Sequence, residues 1–261
     1  RLSDLRLRLA KRQQQLETTI FGIAGQVFNL NSPKQLGPIL FEHLEIQKER
    51  ARIRVGKTKT GYKTDAATLE KYAGIEIVDA ILDYRKTTKL MTTYVDALPT
   101  YIHPQTDCVH TSFNQALVAT GRLSSSNPNM QNIPIRSEEG REIRRAFVPL
   151  KPDWIMMSAD YSQVELRVVA HLSGDESLIT AFNNGVDIHA HTAAAINCIE
   201  ISEVDSEMRS KAKAVNFGIL YGMGPHRLGQ QTGMSFSEAQ DFIDQYFEAF
   251  PKVREWIDAT L

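Results

Sequence analysis

The stretch RSKAKAVNFGILYG, residues 209 to 222, is the part of the sequence that most constrains the fold. Successive residues of an α-helix turn by about 100°, so apolar positions three or four apart gather on one face. That stripe consists of Met208, Ala212, Val215 and Ile219. A helix of this kind needs a protein core on one side only, and its opposite face must meet solvent or a ligand.

The opposite face of this helix is cationic. Arg209, Lys213 and Asn216 share it, with Phe217 beside them and Tyr221 further round. On a solvated helix face, a cation usually has an acidic residue four positions away. Neither Arg209 nor Lys213 has an acidic residue four positions later. Two interpretations stay open at this point. The face is either a solvated surface or a site where cations follow phosphates and an aromatic ring stacks on a base.

Composition narrows the class of protein. The chain has 261 residues, 42% of them hydrophobic and 23% charged, with a net charge of −1. No apolar run approaches the roughly 18 residues of a membrane span, so we expect a water-soluble protein without a membrane partner. Cys108 and Cys198 form neither a disulfide framework nor a zinc ligand set, which favours a reducing intracellular compartment. The chain starts without Met, and we expect it to be an excerpt of a longer protein.

A basic run occupies residues 48–63, KERARIRVGKTKTGYK, with seven Lys or Arg against one Glu. Such a run is typical of a solvated loop. It is also typical of a flexible tip that neutralises phosphates.

The coarse organisation is helical at both ends. Residues 1–89 carry helical apolar spacing, and helical segments alternate with short turns from residue 171 onward. The middle is rich in Thr, Ser, Asn and Pro, and it predicts short strands and ordered loops. Within it, DWIMMSAD predicts a strand that ends at Asp160.

Asp160 is a candidate metal ligand, because Mg²⁺ is commonly held by one or two carboxylates together with substrate phosphates. The alternative is that Asp160 caps a turn. Glu165 has a structural alternative as well, since Ser162 and Glu165 have the spacing of a capping box.

Two further motifs are weak. The glycines of GMGPHRLG, residues 222–229, have the wrong spacing and context for a dinucleotide site. Asp187, His189 and His191 could ligate a transition metal, but nothing else in the sequence completes such a site.

Taken together, the motifs resemble those of family A DNA polymerases, the bacterial polymerase I type. DYSQVELRVVAHLSGD is followed by RSKAKAVNFGILYG, and FNQALVATGRLSSSNPNMQNIPIR, KTKTGYKTDAATLEKY, REIRRAFVP and DIHAHTAA also fit, in the family's order. The resemblance covers nearly the whole chain. It implies an α+β right-hand architecture, truncated at the C-terminus, with a helical thumb (1–89), a β-sheet palm part (90–170) and helical fingers (171–261).

The resemblance also implies the roles of individual residues. Asp160, Arg209 and Lys213 are implied to be catalytic, and Asp160 with the carbonyl of Tyr161 to bind metal. The residues implied to bind the nucleotide are Tyr161, Gln163, Glu165, His189, Arg209, Lys213, Phe217 and Tyr221. Those implied to bind DNA are Lys57, Lys59, Lys63, Arg122, Asn129, Gln131, Asn132 and Asn216.

Four of these residues have specific implied tasks. Phe217 stacks beside the base and sugar, and His189 touches the phosphates. Glu165 closes the space at the sugar C2′ and hydrogen-bonds Tyr221 near the templating position.

The implied reaction is attack of a primer 3′-hydroxyl on the α-phosphate of a deoxynucleoside triphosphate, with two Mg²⁺ ions in the complete enzyme. The implied partners are primer–template DNA and deoxynucleoside triphosphates, with the protein a monomer of the bacterial cytoplasm that serves DNA replication and repair. The alternatives are a non-catalytic primer–template binding fragment and a single-subunit RNA polymerase. The sequence contains no His-Asp-Glu stretch to supply a second carboxylate, so we expect these 261 residues alone not to extend a primer.

Overall fold

The computed structural model describes residues 1–50, 53, 55–59, 61–135 and 137–261. The described chain divides into two compact units, Arg1–Met157 and Ser158–Leu261. This division falls inside the segment predicted to be the palm part, 90–170. The thumb, palm and fingers boundaries therefore stay predictions.

Helices dominate the first unit. Its α-helices are α1 (Leu2–Ala24), α2 (Pro33–Pro38), α3 (Ala66–Leu69), α4 (Glu76–Leu90) and α5 (Glu138–Arg144). Wider π-helical turns at Ile39–His43 and Met91–Val95 follow α2 and α4, and 3₁₀ turns occupy Ile46–Lys48, Glu70–Tyr72 and Leu98–Tyr101.

The packing of α1 along α4 organises this unit. Near one end of α1, Ile20 packs into a buried cluster with Ile81. Near the other end, Leu5 and Leu9 pack against Leu90 in a second buried cluster. The helical spacing of these leucines in the sequence therefore corresponds to one buried stripe, as predicted.

Two short antiparallel hairpins complete the first unit. Strand β1 (Lys57–Thr58) pairs with β2 (Gly61–Tyr62), with Lys57 opposite Tyr62. Strand β3 (Ser112–Asn114) pairs with β4 (Ser124–Ser126), with Phe113 opposite Ser125. Strands β3 and β4 lie in the middle of the chain, where the sequence predicted short strands. The predicted basic tip, 48–63, lies partly outside the described residues, at 51, 52, 54 and 60.

The predicted strand DWIMMSAD is wrong for this structure. Residues 154–160 have no regular secondary structure, and within the described part of the chain they pair with no strand. A strand requires a partner for its backbone N–H and C=O groups, so apolar composition alone does not produce one. Ile155 and Met157 are almost fully exposed.

The second unit is a helical assembly. Its helices are α6 (Val164–Ser173), α7 (Glu176–Asn183), α8 (Ile188–Asn197), α9 (Ser206–Leu220), α10 (Pro225–Thr232), α11 (Phe236–Ala249) and α12 (Pro251–Thr260), with a 3₁₀ turn at Ile201–Glu203. Helix α8 packs against α9 and α11. The core of the unit contains Leu166, Val215, Tyr246 and Phe250. Among the described residues, no helix is long and apolar enough to cross a bilayer.

Helix starts follow local side-chain chemistry. Asp65, Asp175, Asp187 and Asp205 each accept a hydrogen bond from a backbone N–H of the helix that follows. Each bond satisfies a donor that the first turn leaves unpaired.

Leu5→Ala should lower the unfolding free energy by about 2–5 kcal/mol, because Leu5 is buried on α1 and its removal leaves a cavity. Leu7→Ala is the matched control: the same change on the same helix at an exposed position should cost no more than about 0.5 kcal/mol. Urea denaturation measures both. Equal losses would contradict the packing of α1 on α4.

Candidate nucleotide-binding face

Helix α9 presents the face that the sequence predicted, with one exception. Ala212, Val215 and Ile219 are buried, while Arg209 and Lys213 are exposed. Asp205 starts the helix by accepting from the N–H of Met208 at 2.7 Å. The inward stripe is therefore confirmed for these three apolar positions, and Met208 is half-buried.

Asn216 is the exception. The helical pattern placed it on the outward face with Arg209 and Lys213, and that placement is wrong. Its exposed fraction is 0%, and its amide makes hydrogen bonds inside the protein. In this conformation Asn216 offers no surface for the predicted contact with DNA.

Arg209 has an acidic partner from a neighbouring helix. Its Nε lies 2.9 Å from Oδ2 of Asp187, whose other carboxylate oxygen accepts from the N–H groups of His189 and Ala190 at the start of α8. Burial raises the pKa of Asp187, but these backbone hydrogen bonds and Arg209 outweigh burial, and the pKa lies below its ordinary value. The ion pair thus fixes Arg209 against the N-terminus of α8.

Four polar side chains form a network between α8, α9 and the start of α6. Nδ2 of Asn216 lies 3.1 Å from Nδ1 of His189 and 3.0 Å from Oγ1 of Thr192. The hydroxyl of Thr192 donates to the carbonyl of Ile188 at 2.8 Å. On the other side of the ring, Nε2 of Gln163 lies 3.2 Å from Nε2 of His189. The imidazole is thereby held at both nitrogens.

Burial favours the neutral form of His189. Only 1% of the residue is exposed, and burial lowers its pKa; Asp187 opposes this effect, whereas Arg209 and Lys213 add to it. The ring also packs against Phe217, with 5.6 Å between ring centroids. His189, which is predicted to touch the phosphates, and Phe217, which is predicted to stack beside the base, are therefore neighbours.

Glu165 and Tyr221 form the expected hydrogen bond. The hydroxyl of Tyr221 donates to Oε2 of Glu165 at 2.7 Å, which links the end of α9 to the first turn of α6. The predicted capping box of Ser162 with Glu165 is wrong, because α6 starts at Val164 and its N-cap is Gln163.

The exposed part of α9 can attract an anion. Among the described residues, Lys213 makes no ion pair, so its charge is available, while Arg209 is held by Asp187. Lys213 and Phe217 also border a cavity of about 300 Å³. A cation beside an aromatic ring suits a phosphorylated ligand with a flat base.

Asp160 and Tyr161 are both exposed. No side chain in the described part of the chain hydrogen-bonds or ion-pairs with Asp160, and the described residues contain no cluster of three potential metal ligands. One free carboxylate fits a Mg²⁺ ion that arrives with nucleotide phosphates, because Mg²⁺ needs only one or two protein carboxylates. It does not form a metal site by itself.

Asp187, His189 and His191, which the sequence suggested as weak candidates for a metal site, form no cluster of three potential metal ligands in the described part of the chain. Asp187 faces Arg209, whereas Nε2 of His191 lies 3.1 Å from the hydroxyl of Ser177. Asp187 and His191 therefore have different partners within the protein.

The residues predicted to bind DNA lie in the first unit, apart from Asn216. Gln131 accepts from the N–H of Ser125 and donates to the carbonyl of Leu123, and Asn129 accepts from the N–H of Gln131. The carbonyl of Asn132 accepts from the hydroxyl of Tyr94. These bonds hold the loop after β4, while Arg122, Asn129, Gln131 and Asn132 remain exposed.

The lysines of the basic run are exposed around the first hairpin. Nζ of Lys57 lies 4.9 Å above the ring of Tyr62, which packs in turn on Phe41. Lys59 and Lys63 are exposed beside it. Their predicted contact with DNA stays a prediction.

Sequence reasoning missed Thr192 and the pairing role of Asp187. A signal for both was present: Asp187 precedes a helical segment in which His189 and Thr192 are three residues apart and so share a face. Nothing in the sequence identified α9 as their partner.

The unfolding free energy should fall as the pH drops below about 6.5, the ordinary pKa of histidine. His189 has a lower pKa in the folded chain, so the unfolded chain binds the proton first and is favoured. His191, whose pKa burial also lowers, acts with the same sign. His189→Gln should therefore reduce the loss of stability between about pH 7 and about pH 5, measured by urea denaturation.

An unchanged loss of stability in His189→Gln would show that His189 does not titrate differently in the folded chain.

Comparison with known proteins places this geometry in a family. The model of "DNA polymerase family A" matches residues 1–261. The chain is 51% identical over 259 residues to DNA polymerase I of Geobacillus stearothermophilus and 50% identical over 263 residues to the thermostable DNA polymerase I of Thermus aquaticus. These matches cover 99% and 100% of this chain but 29% and 31% of the relatives.

A solved structure agrees with these relatives. The polymerase domain of Pol1 from M. smegmatis, in complex with DNA primer-template and dNTP, has a TM-score of 0.84 and 39% sequence identity. The likeness covers 99% of this chain and 45% of that one. The chain spans less than a third of the length of the two curated relatives, and over that span it belongs to DNA polymerase family A.

Proposed function

We propose that this chain forms the nucleotide-binding face and part of the DNA-binding surface of a template-directed DNA polymerase. One observation carries the proposal: Lys213 and Phe217 follow one another along α9, and Tyr221, directly after the helix, is hydrogen-bonded to Glu165. The solved relative, which was obtained with primer-template and dNTP, supports it.

The reaction joins the primer 3′-oxygen to the α-phosphorus of a deoxynucleoside triphosphate. The bond from that phosphorus to the bridging oxygen breaks, pyrophosphate leaves, and the hydroxyl proton passes to solvent. Arg209 and Lys213 bind the β- and γ-phosphates, and their charges favour the developing charge of the leaving group.

We assign Asp160 and the main-chain carbonyl of Tyr161 to the metal site. Two Mg²⁺ ions, when bound, stabilise charge on the attacking and leaving oxygens. From this chain, Asp160 supplies one carboxylate, and its exposure leaves that carboxylate accessible to a nucleotide that brings its own metal.

The two cations are not equivalent. Arg209 is oriented by Asp187, so its guanidinium is already ordered before a phosphate binds. Lys213, which has no carboxylate partner among the described residues, contributes its full charge to the ligand.

We assign the first unit to the primer–template. Asn129, Gln131 and Asn132 are polar and exposed on the loop after β4, and Arg122 is exposed just before that strand. This arrangement suits contact with groups that all base pairs present in the minor groove. Lys57, Lys59 and Lys63 suit phosphate contacts that do not depend on base sequence.

The rest of the assignment follows the relatives. We propose that the protein acts as a monomer in the bacterial cytoplasm, in DNA replication and repair. Its substrates are deoxynucleoside triphosphates, and its macromolecular partner is primer–template DNA.

Lys213→Ala should lower kcat/KM for nucleotide addition by about 100-fold or more, because one preorganised charge on the triphosphate is lost. The assay is primer extension by a hybrid in which residues 1–261 replace the aligned segment of the Geobacillus stearothermophilus enzyme. Lys252→Ala, an exposed lysine on α12, is the matched control and should extend normally. Asp160→Asn should reduce extension to background.

Three outcomes distinguish the hypotheses. A folded hybrid that binds primer–template in a gel shift but never extends it favours the non-catalytic alternative. Equal use of ribonucleotides favours an RNA polymerase. Normal rates with Lys213→Ala would contradict the assignment of α9 to the triphosphate.

Glu165→Ala should raise ribonucleotide incorporation relative to deoxynucleotide incorporation by about tenfold or more, since the pocket at C2′ widens. Tyr221→Phe removes only the hydroxyl that holds Glu165, so it should change the same ratio in the same direction by less. Single-nucleotide extension with both substrates measures the ratio. A ratio unchanged in both variants would exclude Glu165 as the residue that senses the sugar.

A further inference from the structure

We propose that Asn216 is a positioning residue that fixes His189 as the tautomer with its proton on Nε2, so that the ring donates a hydrogen bond to a nucleotide phosphate. The inference rests on the proposed function for its ligand. The tautomer itself follows from contacts within the second unit.

Thr192 sets the orientation of the Asn216 amide. The hydroxyl of Thr192 donates to the carbonyl of Ile188 at 2.8 Å, whereas Oδ1 of Asn216 is 3.3 Å away. With its only proton used, the hydroxyl oxygen accepts, and the group that donates to it at 3.0 Å is Nδ2 of Asn216. The amide nitrogen is thereby fixed on the side that faces the imidazole.

The same amide nitrogen then determines the state of the ring. Its second proton points to Nδ1 of His189 at 3.1 Å, so Nδ1 must accept and carries no proton. A neutral imidazole has one N–H, which is consequently at Nε2. The burial of all three side chains excludes water as a competing partner.

Gln163 covers the Nε2 side of the ring. Its Nε2 lies 3.2 Å from Nε2 of His189, and two donors cannot bond each other. Asn216 is fixed by Thr192, so Gln163 is the amide that turns, and its Oε1 then accepts the Nε2 proton. A phosphate oxygen carries the same kind of lone pair with more negative charge, and it can replace Gln163 as the acceptor.

Burial favours the neutral form of the ring, Arg209 and Lys213 add to this effect, and Asp187 opposes it. Asp187 is the anion that faces the ring, and Arg209 and Lys213 are the cations. A bound triphosphate meets those two cations on α9, with the Nε2–H of His189 as a neutral donor nearby.

The first test is ¹⁵N NMR of histidine side chains in the 261-residue chain, with the His189 signals assigned by their loss in His189→Gln. We expect an unprotonated Nδ1 and a protonated Nε2. Thr192→Ser keeps the hydroxyl and should preserve this pattern. Thr192→Val removes it, and the two nitrogen shifts should move toward each other. A protonated Nδ1 in the unaltered chain would overturn the proposal.

The second test uses the hybrid polymerase and separates KM from kcat. Asn216→Leu leaves the ring without its fixed donor and should raise KM for deoxynucleotides about tenfold, with kcat changed by no more than about twofold. Gln230→Glu is the matched control, because the Gln230 amide lies 3.1 Å from the exposed ring of His226, and KM should not change.

The outcomes of the two tests distinguish a failure of the proposed function from a failure of the positioning role. If the NMR pattern is as expected but KM is unchanged in both Asn216→Leu and His189→Gln, the phosphate contact of the proposed function is wrong. If His189→Gln raises KM and Asn216→Leu does not, Asn216 has no positioning role.

Discussion

The buried polar contact between α8 and α9 is the interaction on which the candidate site depends. His189, Thr192 and Asn216 are buried between these helices, and each would cost free energy if its hydrogen bonds were unmade. Apolar side chains could pack between the same helices in several registers. Directional hydrogen bonds allow one, and that register sets where Arg209 and Phe217 emerge from α9.

The ion pair of Asp187 with Arg209 extends the same constraint to the surface. Asp187 uses one oxygen to start α8 and the other to hold Arg209, so the beginning of one helix and the charged face of the next are coupled. Exposed ion pairs contribute little to stability. We therefore interpret this pair as a device for orienting the guanidinium rather than for holding the fold.

The sequence predicted those features that arise from local spacing. The stripe of Ala212, Val215 and Ile219 and the helical character of both ends follow from residues that are close together in the chain. The pairing of Tyr221 with Glu165 was accessible only through family resemblance, because 56 positions separate the two residues. No local pattern specifies such a contact.

The failures have a common physical cause. DWIMMSAD has the composition of a strand, but pairing depends on a neighbouring chain segment that composition does not reveal. Asn216 has a polar side chain at an outward angle of an idealised helical wheel, yet a partner helix covers that angle. The local sequence predicted the helix that carries Asn216 but not the environment of its side chain, and it predicted a strand that has no pairing partner. In both cases the tertiary neighbours determined the outcome.

Because of this dependence on neighbours, the buried and the exposed polar residues of α9 carry different information about the fold. A cation on an outward face is compatible with many structures, whereas a fully buried Asn is stable only beside groups that complete its hydrogen bonds. The presence of Thr192 and His189 opposite Asn216 therefore says more about how α8 and α9 are matched than the exposed charges do. It also explains how the ring of His189 becomes a directional group: burial favours its neutral form, and the amide of Asn216 selects which nitrogen keeps the proton.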